Sequence, residues 1–192
     1  MAHPHAHFLP NDRQMFYKYL DKANSYFEFG AGGSTYQAYI RKNIKHIYSV
    51  ESDKLWHDKV KAQCPDKKKA THILIDFKPL PNTWGHPTST TPKHVQQRYS
   101  NVIIDLKVSP IDLLLIDGRF RTACCLKSLQ VIDEKSIIIF DDFFPRKEYH
   151  IVLNWFEIID STNNKNMVVL KKKKNVLPPS NRVLSRYEFL AL

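Results

Sequence analysis

Apolar positions recur along this chain in short blocks whose spacing alternates between two periods. Met15, Phe16, Tyr19 and Leu20 fall on one helical face and predict a helix over 11–23, with Asn11 or Asp12 at its start. Ser25–Phe29 reads as a short strand and runs straight into the small residues Gly30-Ala31-Gly32-Gly33-Ser34. A helix over 35–42, a strand over 46–50, a helix over 54–62 and a strand over 71–75 continue the alternation. Ile111–Ile116 and Ser136–Phe140 are nearly unbroken apolar runs, as expected of strands covered on both faces. Helices fit 124–132 and 149–156. A closing strand pair, 157–160 and 167–170, is split by the polar turn Ser161-Thr162-Asn163-Asn164-Lys165-Asn166.

Strands that alternate with helices predict an α/β domain, a mostly parallel sheet with helices on both faces. The last pair breaks the alternation and predicts an antiparallel hairpin at one sheet edge. Residues 77–100 are read as one long irregular stretch, carrying Pro79, Pro81, Pro87 and Pro92 among threonines. A loop of that length inside a compact domain is usually functional or disordered, and Trp84-Gly85-His86-Pro87 at its centre favours function. Residues 1–10, with His3, His5 and His7, are expected to form a flexible end. Residues 11–192 then make a single domain without internal repeats.

The length of 192 residues suits one domain, and 43% hydrophobic with 25% charged residues fits a globular protein. No apolar run approaches the ~18 residues of a membrane span, and no apolar leader is read at the start. Cys64, Cys124 and Cys125 are an odd set without a disulfide framework, which points to a reducing, cytoplasmic setting. The charge adds a question. With 29 Lys and Arg against 19 Asp and Glu the chain carries a net +10, so polyanionic partners enter consideration.

In open α/β sheets ligands bind beyond the carboxyl ends of the strands, near the switch in strand order. Glu28-Phe29-Gly30-Ala31-Gly32-Gly33-Ser34-Thr35 follows the first strand, and Glu51 ends the second, 21 residues after Gly30. An acidic side chain about 20 residues beyond such a turn suits ribose hydroxyls. A dinucleotide fingerprint would place glycine where Thr35 stands, and no G-x-x-x-x-G-K-[ST] phosphate loop is present. The acidic-x-Gly-x-Gly pattern at 28–32 resembles the first motif of class I S-adenosylmethionine-dependent methyltransferases, a likeness spanning about residues 25–170. It implies a Rossmann-like seven-stranded, mostly parallel sheet with an antiparallel last strand.

The resemblance also implies roles. Gly30 and Gly32 would let the methionine part of S-adenosyl-L-methionine lie over the backbone, with Glu28 near its amino group and Ser34 beside them. Glu51 would hold the ribose and Asp76 the adenine. Asp117-Gly118 would stand near the transferred methyl group, with Asp141-Asp142 at the next strand end. The run Asp112–Arg121 and the Trp84-Gly85-x-Pro87 loop are similar to a narrower group. Several of its members occur beside sugar-modifying enzymes, and the chain also weakly resembles the methyltransferase domain of a chlorovirus glycan-building protein. A carbohydrate acceptor follows, linked to or acting beside glycosyltransferase domains, in the host cytoplasm if the chain is viral.

Asp117 is the candidate general base, with Asp142 beside it, because a sugar hydroxyl needs a positioned base to take its proton. An alternative role for Asp117 is capping the following helix. Arg119, Arg121, Asp141, Trp84 and His86 are candidate acceptor contacts; the arginines also suit a solvated helix start, Trp84 also suits packing, and His86 or His150 offers another base. Asp117, Asp141 and Asp142 suit a hard divalent cation, but Arg119 and Arg121 oppose one, and no required metal is expected. Lys67–Lys69 and Lys171–Lys174 keep an RNA methyltransferase open, although no aromatic-interleaved basic stripe makes nucleic acid the expected partner. A nucleotide-binding module without activity is the third reading.

Overall fold

Leu113, Leu115 and Ile139 pack against one side of the sheet, and Leu114, Ile116, Ile138 and Phe140 against the other. That two-residue alternation follows from side chains pointing to opposite faces along a strand. The computed structural model describes residues 5–108 and 110–192; His3 lies outside them. Chain order runs α1 (Pro10–Leu20), β1 (Ser25–Phe29), α2 (Gly33–Ile40), β2 (His46–Glu51), α3 (Lys54–Gln63), β3 (Ala70–Leu74) and α4 (Lys93–Asp105). It continues with β4 (Leu113–Ile116), α5 (Arg121–Ser128), β5 (Ile137–Phe140), a 3-10 helix (Lys147–Asn154), β6 (Phe156–Ser161), β7 (Val168–Lys172) and α6 (Asn181–Tyr187).

The seven strands form one sheet in the order β3-β2-β1-β4-β5-β7-β6. The first five pair in parallel, and β7 runs antiparallel to both β5 and β6. The hairpin therefore lies at the edge, as its Asn-rich turn predicts, with β6 outermost. The chain builds outward from β1 to β3 and returns to lay β4 against β1. The switch point between β1 and β4 is the crevice where such sheets receive ligands.

Three elements differ from the sequence reading. The end 1–10 is not all flexible: Ala6 and Phe8 are buried in the core beside Phe16, and α1 starts at Pro10, whose missing N–H suits a first helical position. The irregular stretch ends at Pro92, because α4 begins at Lys93 and buries Tyr99, Ser100, Val102 and Ile103. The helix α6 was not read from the sequence at all. It is held through Glu188, which pairs with the buried Lys127 of α5; Lys127 also donates to Ser100 at 3.0 Å. Among the described residues no helix is long and apolar enough to cross a membrane.

Candidate active site

The C-terminal ends of β1 and β4 meet so closely that only glycine fits. Gly30 has φ +95°, and a Cβ there would lie 2.8 Å from the Asp117 carbonyl carbon and the Gly118 nitrogen. Its N–H donates to the Val50 carbonyl at 2.9 Å, and the Asp117 N–H donates to the Phe29 carbonyl at 3.0 Å. A Cβ on Gly118 would meet the Tyr99 hydroxyl at 2.0 Å. Gly32 is a glycine for another reason. Its missing Cβ would reach only the Trp56 ring, 3.9 Å away, so the turn keeps an open face beside that indole. Trp56 donates from Nε1 to the Ala31 carbonyl at 2.6 Å and is placed by Asp53, which caps α3 through the Leu55 and Trp56 N–H groups.

Glu28 corrects its expected role. Its side chain shares the sheet face of Tyr26 and is fully buried. The carboxylate accepts from Tyr26 (2.8 Å), Ser34 (2.7 Å) and Ser49 (2.7 Å), and from Thr35 in a very short contact. Ser34 is turned inward by that bond, so neither residue faces the cleft. The same Thr35 oxygen accepts the Gly32 N–H at 2.9 Å, so the buried carboxylate anchors the glycine turn from beneath. Burial pushes the Glu28 pKa up to about 7, against the pull of the four hydroxyls.

A raised carboxyl pKa means that the folded chain holds the proton more tightly than the unfolded chain. The contribution of Glu28 to stability is therefore greatest below about pH 4.5 and falls as pH rises to about 7, by about 3 kcal/mol. Glu28→Gln keeps the shape without the charge and is expected to flatten this slope. Urea unfolding of both proteins between pH 5 and 8 checks it; equal slopes would show that Glu28 is not the titrating group.

Glu51 stands beside the turn, also buried. It accepts from the Ala31 N–H at 3.0 Å through Oε2 and from the Ser52 and Asp53 N–H groups at 2.6 and 2.9 Å through Oε1. Burial raises its pKa despite these bonds. Oε2 has one accepting direction left, which suits a ribose hydroxyl. The loop after β3 folds over this carboxylate: Gly85 has φ +70°, a Cβ on it would lie 2.2 Å from the Ser52 hydroxyl, and that hydroxyl donates to the Gly85 carbonyl at 2.9 Å. Trp84 and His86 are thereby carried to the β2 side of the cleft, beside Glu51 and Ser52, not to the ends of β4 and β5. Trp84 is 76% exposed and its ring meets His7 at 5.9 Å. His86 is exposed. Asp76 is half-buried and accepts the Lys78 N–H at 2.8 Å through Oδ1.

At the ends of β4 and β5 three carboxylates surround one guanidinium. Arg121, 4% exposed, lies 3.1 Å from Asp117, 3.7 Å from Asp141 and 3.4 Å from Asp142. It also donates to the Gly118 and Asp141 carbonyls at 3.0 and 2.8 Å. Burial opposes its charge, but the carboxylates more than offset that and hold its pKa up. Arg121 is therefore a buried internal cation and not a free acceptor contact. Asp142, in a left-handed conformation at φ +56°, also pairs with Arg146 at 3.1 Å. Asp141 is nearly sealed and accepts from Asn166 at 3.1 Å; burial and the charge of Asp117 push its pKa up to about 8.

Asp117 keeps 29% of its side chain exposed. Burial and Asp142 raise its pKa, while Arg121 and a hydrogen bond from Asp141 favour its ionised form. It does not cap α5, whose N-cap position is Phe120 in a left-handed conformation at φ +51°. Arg119 follows two residues after Asp117. His150 approaches the Phe143 carbonyl at 3.2 Å and stacks on the Phe143 ring. A divalent cation does not fit this cluster. The space between the carboxylates is filled by the Arg121 guanidinium, and among the described residues no set of three or more His, Cys, Asp or Glu is arranged as metal ligands.

Neither a family model nor a curated protein matches the chain. Solved structures do. A methyltransferase-like protein from Silicibacter pomeroyi superposes with a TM-score of 0.83 at 24% identity, covering 99% of this chain and 100% of its own. The O-methyltransferase TomG from Streptomyces achromogenes, solved with S-adenosylmethionine, gives 0.58 at 10% identity over 88% of this chain and 82% of its own. The tRNA methyltransferase TrmK from Bacillus subtilis gives 0.51 at 9% identity, over 86% and 67%. The fold is thus the Rossmann-like class I methyltransferase fold.

Proposed function

We propose that the chain is an S-adenosylmethionine-dependent O-methyltransferase whose acceptor is a hydroxyl of a sugar in a glycan or glycoconjugate. The carrying observation is the convergence at the β1–β4 switch point. There, the backbone of Gly30 packs on that of Asp117, so a glycine turn suited to a nucleotide lies directly beside a partly exposed carboxylate. Gly30 and Gly32 supply the open backbone, Glu51 the ribose acceptor, and Asp76 a further polar contact at the end of β3. Trp56 and Trp84 supply aromatic walls.

When bound, S-adenosylmethionine supplies an electrophilic methyl group on a sulfonium sulfur. Asp117 takes the proton of the acceptor hydroxyl as the new carbon–oxygen bond forms and the methyl carbon–sulfur bond breaks, the electron pair staying on the departing S-adenosylhomocysteine. Burial and the Asp117 charge favour the protonated form of Asp141, and a proton on Asp141 shared toward Asp117 steadies the base in its ionised form. Arg121 fixes the orientation of both. A base with a raised pKa is better matched to this task than an ordinary carboxylate.

The character of the cleft supports a sugar over RNA. Its strand ends carry Glu51, Asp76, Asp117, Asp141 and Asp142, whereas the lysine runs lie at 67–69 and 171–174. Arg121 and Arg146 are matched by those carboxylates, so the lining offers no run of unpaired cations to a polyphosphate chain. Calorimetry with S-adenosylhomocysteine is expected to show one-site binding. Mass spectrometry of glycans incubated with methyl-labelled S-adenosylmethionine is expected to show one added methyl per accepting hydroxyl. Absence of heat would remove the cofactor assignment; methylation of RNA and of no glycan would replace the acceptor.

A further inference from the structure

Arg119 and Arg121 stand two residues apart, and their surroundings are opposite. Arg121 has three carboxylates and two carbonyls around it. Arg146, the next cation of the cluster, is paired with Asp142. Arg119 has none: among the described residues its side chain makes no hydrogen bond and no ion pair, and its Nε is sealed from solvent without an acceptor. Only its backbone is engaged, with the N–H 3.4 Å from the Tyr99 hydroxyl and the carbonyl 3.4 Å from the Cys124 Sγ. Burial, then the like charge of Arg121, works against its positive form. A guanidinium nevertheless stays charged in a protein, and holding it half-buried without a partner carries a desolvation cost that an oxyanion would offset.

Its place in the turn gives that missing partner a meaning. The left-handed Phe120 bends the chain between Asp117 and α5, and Arg119 lies near enough to Asp117 to feel its charge yet outside ion-pair distance of it. Arg121 and Arg146 are already matched by Asp117 and Asp142. One guanidinium in acidic surroundings suits one oxyanion and not a chain of phosphates.

We infer that the acceptor carries a single oxyanion, a carboxylate or a phosphate monoester, close to the hydroxyl that is methylated, and that Arg119 binds it. This rests on the sugar-methyltransferase reading above and narrows it to acidic sugars.

The test separates the two. Protein loaded with S-adenosylhomocysteine is treated with phenylglyoxal, and adduct formation at Arg119 is followed by mass spectrometry of its peptides. Methyl glucuronoside and glucose 6-phosphate are expected to slow labelling of Arg119 about tenfold, the effect of one charge-assisted contact. Methyl glucoside is expected to leave it unchanged. The two acidic probes distinguish carboxylate from phosphate. In a calorimetric arm, Arg119→Gln is expected to lose glucuronoside or sugar phosphate binding while S-adenosylhomocysteine binding stays at the wild-type level. Equal protection by neutral and acidic sugars, no protection by either acid, or stronger protection by a short oligouridylate overturns the inference. Failure of S-adenosylhomocysteine to bind would instead remove the underlying methyltransferase reading, and it is seen before any sugar is added.

Discussion

Asp117→Asn is expected to bind S-adenosylhomocysteine as the wild type does and to lose roughly 10²–10⁴-fold in kcat, the usual contribution of a positioned general base. Three observations set that size. Asp117 and Asp142 are both about one-third exposed, and of the two it is Asp117 whose backbone packs against the glycine turn. Asp141 is nearly sealed, and burial with the Asp117 charge favours its protonated form, so it is poorly placed to take the acceptor's proton. Asp142 is committed to Arg121 and Arg146, so Asp142→Asn is expected to cost far less, less than about tenfold. Single-turnover methyl transfer with labelled cofactor measures both. A fully active Asp117→Asn would remove it from the chemistry, and a larger loss in Asp142→Asn would exchange the two roles.

Arg121→Met is expected to lower stability by about 3–5 kcal/mol at pH 8, because removing the cation leaves buried carboxylates uncompensated. The sign with pH follows from the same charges. Without Arg121 the pKa values of Asp117 and Asp141 rise further above their already raised positions, so the folded variant takes up protons as pH falls. The deficit is therefore expected to shrink toward pH 5 and to be largest above about pH 8. Denaturant titrations across that range test it; a deficit independent of pH would mean that Arg121 matters by its volume and not its charge. The variant should also gain Mn²⁺ binding detectable by electron paramagnetic resonance, since the space among the three carboxylates is opened. The wild type should show none at that cluster.

The parts of the fold that were legible in the sequence are those with a local cause. Strands β4 and β5 announce themselves as unbroken apolar runs because both faces are covered. Helix α4 does not, because its apolar positions Tyr99, Val102 and Ile103 follow a Pro- and Thr-rich approach that masks where the helix begins. Helix α6 depends on a contact 61 residues away, Lys127 with Glu188, which no window of sequence contains. The places of Gly30, Glu51 and Asp117 at the ends of β1, β2 and β4 were legible because each directly follows or closes a strand-like run. The inward turn of Glu28 was less so, yet it had a signal: Glu28 falls in register with Tyr26, opposite Phe27 and Phe29, amid the hydroxyls of Ser34, Thr35 and Ser49. The divergence of Arg119 from Arg121 had no such signal, since it arises where β4 and β5 end in space.

The Thr35 hydroxyl, which joins Glu28 to the Gly32 N–H, also constrains how this loop can evolve. Converting the turn to the dinucleotide fingerprint calls for glycine at 35. On its own that change strips Gly32 of an acceptor and Glu28 of a donor, each at about 1–3 kcal/mol. Replacing Glu28 first leaves the hydroxyls of Tyr26, Ser34 and Ser49 without their shared acceptor. The two substitutions are thus epistatic, and the mutational path between the two nucleotide classes passes through a less stable intermediate whichever residue changes first.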